Sequence, residues 1–122
     1  MEDYTLGVVE GKFADLLWER VPMSTSEMVK LAEQELEWKR TTTYTVLKKF
    51  SNRGMFENQN GTVVALISKE DFYARQSECY VEQSFGGSLP SFLTAFTSRR
   101  KLGEQEIADL RAIIEQYDKG QS

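Results

Sequence analysis

Leu6, Val9, Phe13, Leu16 and Leu17 recur at three- and four-residue spacing, with Glu10, Lys12, Asp15 and Glu19 between them. This pattern predicts one amphipathic helix that closes before Pro22. Ser24-Thr25-Ser26-Glu27 has the form of a capping box, in which hydroxyl and carboxylate each satisfy a free backbone N–H at a helix start. The helix that follows buries Met28, Leu31, Ala32 and Leu36. A third helix is expected from Thr41 to Arg53, where Thr43, Val46, Leu47 and Phe50 stand at i, i+3, i+4 and i+7 and Gly54 supplies the stop.

The period then changes. Met55 to Asn58 and Thr62 to Ile67 are short β-prone runs joined through Gln59-Asn60-Gly61, and Asn-Gly tolerates the positive φ angles that a tight hairpin needs. Ser68 with Asp71 opens another helix carrying Phe72, Cys79, Tyr80 and Phe85, which Gly86-Gly87 interrupts. Leu89, Phe92, Leu93 and Phe96 form a short amphipathic helix with Pro90 in its first turn. A last helix runs from about Glu104 to Tyr117 with Ile107, Leu110, Ile114 and Tyr117 on one face. The fold expected is mainly α with a small β-hairpin: a winged helix-turn-helix over residues 1–68 and a helical dimerisation region over 69–122. Isolated helices are marginal in water, so the apolar stripes of that second region, on Phe72, Tyr80, Leu89, Phe92, Leu93, Phe96, Ile107, Leu110, Ile114 and Tyr117, are expected to be covered by a second copy of the chain.

Composition narrows the chemistry. The 122 residues contain one cysteine, Cys79, and no histidine, so an intrachain disulfide, a His-based metal site and a Ser-His or Cys-His hydrolase are all excluded. No carboxylate pair or Gly-rich loop suggests catalysis, and no cofactor is expected. The longest apolar run, Val63 to Ile67, is too short for a membrane span, and Met1-Glu2-Asp3 is no basic leader, so a cytoplasmic protein without membrane insertion is expected. The net charge of −4 conceals an asymmetry. Residues 1–38 hold three cations and nine acids, whereas residues 39–53 hold five cations and no acid. Such a local patch, more than the total, decides where a polyanion docks.

With its apolar side turned inward, the third helix leaves short hydroxyls and long cations outside, the mixture that reads base edges and phosphates. Lys39, Arg40, Thr41, Thr42, Tyr44 and Thr45 occupy its N-terminal end, the part that enters the major groove in helix-turn-helix proteins. Lys48, Lys49 and Arg53 are expected on the DNA backbone. For the hairpin, two readings stay open: Asn58, Gln59, Asn60 and Thr62 offer hydrogen bonds to DNA, but Glu57 opposes them and a simple turn explains the same residues. Trp18 and Trp38 are expected in the core, and Cys79, beside Glu78 and Glu82, reads as a small buried side chain rather than a reactive thiol.

Three segments together carry a likeness that covers nearly the whole chain. Leu6 to Trp18 has the form Leu-x3-Glu-x6-Leu-Trp. Trp38-Lys39-x2-Thr42-x2-Thr45-x-Leu47-x-Lys49 leads into Asn52-Arg53-Gly54, and Phe85-Gly86-Gly87-Ser88 precedes Leu93 and Phe96. In order and spacing these resemble the family of penicillinase repressors and methicillin-resistance regulators of BlaI/MecI type. The resemblance implies a homodimeric winged-helix transcriptional repressor on an inverted-repeat, double-stranded operator. It also implies relief of repression through a membrane-bound sensor protease system, with cleavage in the helix after the Gly-Gly break; the matching bond is Ala95-Phe96. The paired C-terminal cysteines of the family's copper-sensing branch have no counterpart here. The alternative is a winged-helix protein-interaction module that presents its acidic N-terminal part to a basic partner and reads no DNA sequence.

Overall fold

The computed structural model of the chain describes residues 6–121. They form α1 (Val8–Arg20), β1 (Met23–Ser24), α2 (Thr25–Leu36), α3 (Arg40–Asn52), β2 (Phe56–Gln59), β3 (Thr62–Ala65), α4 (Lys69–Phe85), α5 (Leu89–Arg99) and α6 (Glu104–Gln121). The protein is mainly helical, with a small antiparallel sheet of order β1-β3-β2, as a winged helix requires. Its residues divide into two compact units, one up to Tyr80 and one from Val81 onward, so the division falls inside α4, further along than residue 68.

Local chemistry accounts for the elements of the first unit. The Ser24 hydroxyl accepts from the Glu27 N–H at 3.1 Å and caps α2. Glu37 closes that helix in the left-handed region at φ 56°, its N–H donating to the carbonyls of Ala32 and Glu33. Gly54, at φ 72°, follows the end of α3, where a side chain would be strained. Asn60 and Gly61 take φ of 53° and 92°, the two positive values of a tight hairpin, and Asn58 Oδ1 accepts from the Gly61 N–H at 2.8 Å.

The hairpin is joined by a strand that hydrophobic patterning does not reveal. Met23 and Ser24 pair with Val63 and Thr62, so Ser24 is both sheet residue and helix cap. Two residues are too few to show a period of two. Val9, expected on the buried stripe of α1, lies in the first turn and is exposed, whereas Phe13, Ala14 and Leu17 are fully buried.

The core of the first unit is built around aromatic rings. Phe50 lies 6.0 Å from Phe13 and 5.8 Å from Phe56, and Trp38 packs on Phe13 at 5.0 Å. Trp18 packs on Phe56 at 5.0 Å and on Phe72 at 5.6 Å, and its Nε1–H donates to the Ile67 carbonyl at 3.0 Å. Both tryptophans are therefore packing residues. Tyr73 donates its O–H to Asp15 at 3.1 Å, and Lys69 stands 3.5 Å from the same carboxylate, so the start of α4 is tied to α1. Burial, reinforced by Asp15, raises the Tyr73 phenol above its ordinary value. Phe72 needs correction: expected at a dimer interface, it is fully buried against Trp18 and has no surface to offer a partner.

The second unit has a different character. Gly86 and Gly87, both at positive φ, turn the chain after α4, and Ser88 accepts from the Ser91 N–H at 3.1 Å to start α5. Phe92 packs between Phe85 and Phe96 at 5.5 and 6.1 Å. An open apolar groove of about 270 Å³ runs between α5 and α6, lined by Phe92, Leu93, Phe96, Leu102, Leu110 and Ile113. From Val81 to Gly120 no described residue is buried. Leu89, Ile107, Ile114 and Tyr117 are exposed, as is Tyr80 on α4. Ile113, absent from the expected set, is 65% exposed; its place three residues after Leu110 was the available signal.

Candidate nucleic-acid interface

α3 separates its residues as the periodicity requires. Thr43, Val46, Leu47 and Phe50 face inward, and the Thr43 hydroxyl is spent on the Lys39 carbonyl at 3.0 Å. Lys39, Arg40, Thr41, Thr42, Thr45, Lys48 and Lys49 are exposed, while Tyr44 and Arg53 are half-buried. The outer face therefore brings together the hydroxyls and cations singled out above, with no acid in α3 itself.

Their surroundings differ in ways that bear on chemistry. The Arg40 guanidinium lies over the Tyr44 ring, 5.2 Å from its centroid, and Tyr44 packs against the core. A cation on an aromatic face is restrained, so less side-chain entropy is lost when it meets a base. Thr45, exposed, donates its hydroxyl to the Thr41 carbonyl at 2.9 Å, so its oxygen keeps lone pairs to accept with. Such a threonine accepts hydrogen bonds or contacts a thymine methyl. Lys49 is bound within the protein: its Nζ lies 2.8 Å from Glu10 Oε2 and 3.2 Å from Oε1.

That pair holds the Glu10 carboxyl below the ordinary carboxylate range. The Lys49 hydrogen bond is the main cause, partial burial opposes it, and the Gly7 N–H and the charges of Lys49 and Arg53 assist. Because folding lowers this pKa, the pair contributes stability above the unfolded value and loses it as pH falls through the folded one. Urea midpoints of the wild type and of Glu10→Gln are expected to differ at neutral pH and to converge below pH 4.5.

The hairpin spends part of its polar capacity internally. Gln59 Nε2 donates to Glu57 at 2.9 Å, and Asn58 Oδ1 serves the turn. Asn60 and Thr62 remain exposed. Among the described residues, no cluster of His, Cys, Asp and Glu could hold a metal ion, and no helix is long and apolar enough to cross a membrane. Cys79 is half-buried in α4.

The profile of the penicillinase repressors matches residues 6–116, which takes in the winged helix, all of α5 and most of α6. The chain belongs to the penicillinase repressor family. It is thus a regulator of transcription of the penicillinase-repressor type, in a family of regulators rather than enzymes. It is 17% identical over 115 residues to the methicillin resistance regulatory protein MecI of Staphylococcus aureus, that of strain N315 included, covering 91% of this chain and 94% of the relative. Family membership therefore extends over both units, and α3 takes the place of the third helix in this repressor's winged helix.

Proposed function

We propose that this protein is a homodimeric repressor that binds inverted-repeat operator DNA through α3. The observation that carries the reading is the outer face of that helix, where five cations and no acid between residues 39 and 53 surround Thr41, Thr42 and Thr45. Arg40, Thr42 and Thr45 read base edges, with Lys39, Thr41 and Tyr44 beside them, while Lys48 and Arg53 approach phosphates. Dimerisation is supported by the second unit, whose helices leave their apolar side chains without a buried core. Twofold protein symmetry then asks for twofold site symmetry.

The test is a mobility shift on a duplex selected by the protein from a random-sequence pool. Affinity is expected to fall steeply with salt, as each phosphate contact releases condensed counterions. Arg40→Ala and Thr45→Ala should each cost about 1 to 3 kcal/mol and relax preference at one position, whereas Lys48→Ala should weaken selected and random DNA alike. Uniform losses for all three would refute the assignment of base readers. Absence of DNA binding at low salt would favour a module that docks a basic protein on its acidic N-terminal part.

Relief of repression by cleavage at Ala95-Phe96 belongs to the same reading. Both residues are exposed on α5. The Ala95 carbonyl accepts from the Ser98 hydroxyl at 2.7 Å, so a protease must first unwind this turn. A cut there detaches α6 and leaves two weakly associated halves, releasing DNA without altering α3. An immunoblot of the host under a cell-wall-active antibiotic is expected to show the full-length band shortening as the target promoter turns on; a persistent full-length band during induction would refute the proteolytic route.

A further inference from the structure

We infer that Glu10 withholds Lys49 from DNA, so that Lys49 is an internal strut between α1 and α3 rather than a phosphate contact. The inference rests on the reading of α3 as the DNA-binding helix and corrects the sequence-based assignment of Lys49 to the DNA backbone. Glu10 is the acid of the Leu-x3-Glu-x6-Leu-Trp segment, and the proposed DNA interface leaves it without a role.

The geometry is specific. Both carboxylate oxygens of Glu10 engage Lys49 Nζ, at 2.8 and 3.2 Å, and Oε1 also accepts from the Gly7 N–H at 3.4 Å. Glu10 is therefore held from its own helix start and aimed across at α3. Its side chain is the less exposed partner, at 21% against 44% for Lys49. The Lys49 ammonium faces both oxygens of the carboxylate, and the charges of the pair cancel. A phosphate approaching Lys49 must either displace Glu10 or accept a carboxylate at close range, and both oppose binding. Lys48, one residue earlier, is exposed and is left to meet phosphate. Glu10 thus acts on DNA through Lys49 and is a positioning residue.

The experiment measures binding of the full chain to sheared duplex DNA of mixed sequence across a salt series. Compared are the wild type, Glu10→Gln, Lys48→Met and the double variant Glu10→Gln/Lys49→Met. Gln retains an acceptor for the Gly7 N–H while removing the charge. Freeing one cation per protomer, and so two per bound dimer, should steepen the slope of log affinity against log salt by about 1.8 for Glu10→Gln, which is roughly a tenfold greater loss between 50 and 200 mM salt. The double variant, with both charges gone, should return to the wild-type slope, and Lys48→Met should be shallower by about 1.8. A wild-type slope for Glu10→Gln, or a double variant as shallow as Lys48→Met, would overturn the inference while leaving the DNA-binding reading intact. A wild type with no salt-dependent affinity for DNA would overturn both.

Discussion

Replacement of Ile114 by aspartate is expected to turn the protein into monomers and to lower operator affinity by roughly 10²- to 10⁴-fold. Ile114 lies on α6 and is 62% exposed, so the substitution removes little packing within its own chain. In a twofold interface each substitution counts twice, and burial of an isoleucine side chain is worth about 1.5 to 3 kcal/mol. Loss from both protomers, with two carboxylates to bury unpaired, exceeds what a small interface can absorb. Half-sites that were linked through the dimer then bind independently, and the gain from effective concentration disappears. Sedimentation equilibrium at micromolar concentration should give a dimer for the wild type and a monomer for the variant. Because Ile114 lies outside the first unit, the denaturation midpoint of the winged helix should be unchanged; a dimeric variant would contradict the assignment of α6.

Phe50→Ala should cost about 3 to 5 kcal/mol of folding stability. Phe50 is fully buried between Phe13 of α1 and Phe56 of β2, so its ring joins α3 to both the first helix and the sheet. Truncation removes the transfer free energy of the ring and leaves a cavity that three elements cannot close at once. Domains of this size are stable by about 5 to 15 kcal/mol, so the loss is a large share of the total. Urea unfolding followed by tryptophan fluorescence should show an earlier midpoint with little change in slope. Val8→Ala, at a position 80% exposed, should stay within about 0.5 kcal/mol of the wild type and serves as the comparison.

The two substitutions probe surfaces of different legibility. Phe50 was identifiable from Thr43, Val46 and Leu47, because the turns of one helix carry its buried stripe within a short stretch of chain. The same pattern marked Arg40, Thr41, Thr42, Thr45 and Lys48 as outward-facing, and the structure exposes each of them. Asn60-Gly61 and Gly54 were equally clear, since a backbone at positive φ restricts residue choice at the turn itself. These local signals, with the order of helices and hairpin, were sufficient for the fold class and for the face that forms the candidate site.

Tertiary structure decided what depends on residues far apart in sequence. β1 exists because Met23 and Ser24 meet Val63 and Thr62, and two residues carry no period of their own. Phe72 has the apolar spacing of an interface residue, but Trp18 covers it from a helix more than fifty positions earlier, and only packing distinguishes a stripe turned to the core from one left for a partner. Lys49 shows the same limit for charge: its sequence neighbours are cationic or neutral, while the acid that neutralises it comes from α1. Hydrophobic period and turn chemistry are written within a few residues, so the sequence by itself determined the elements and their faces. Which faces and charges remain free is set by contacts across the fold, where small differences in approach and solvent exposure decide whether a side chain is spent inside the protein or left at its surface.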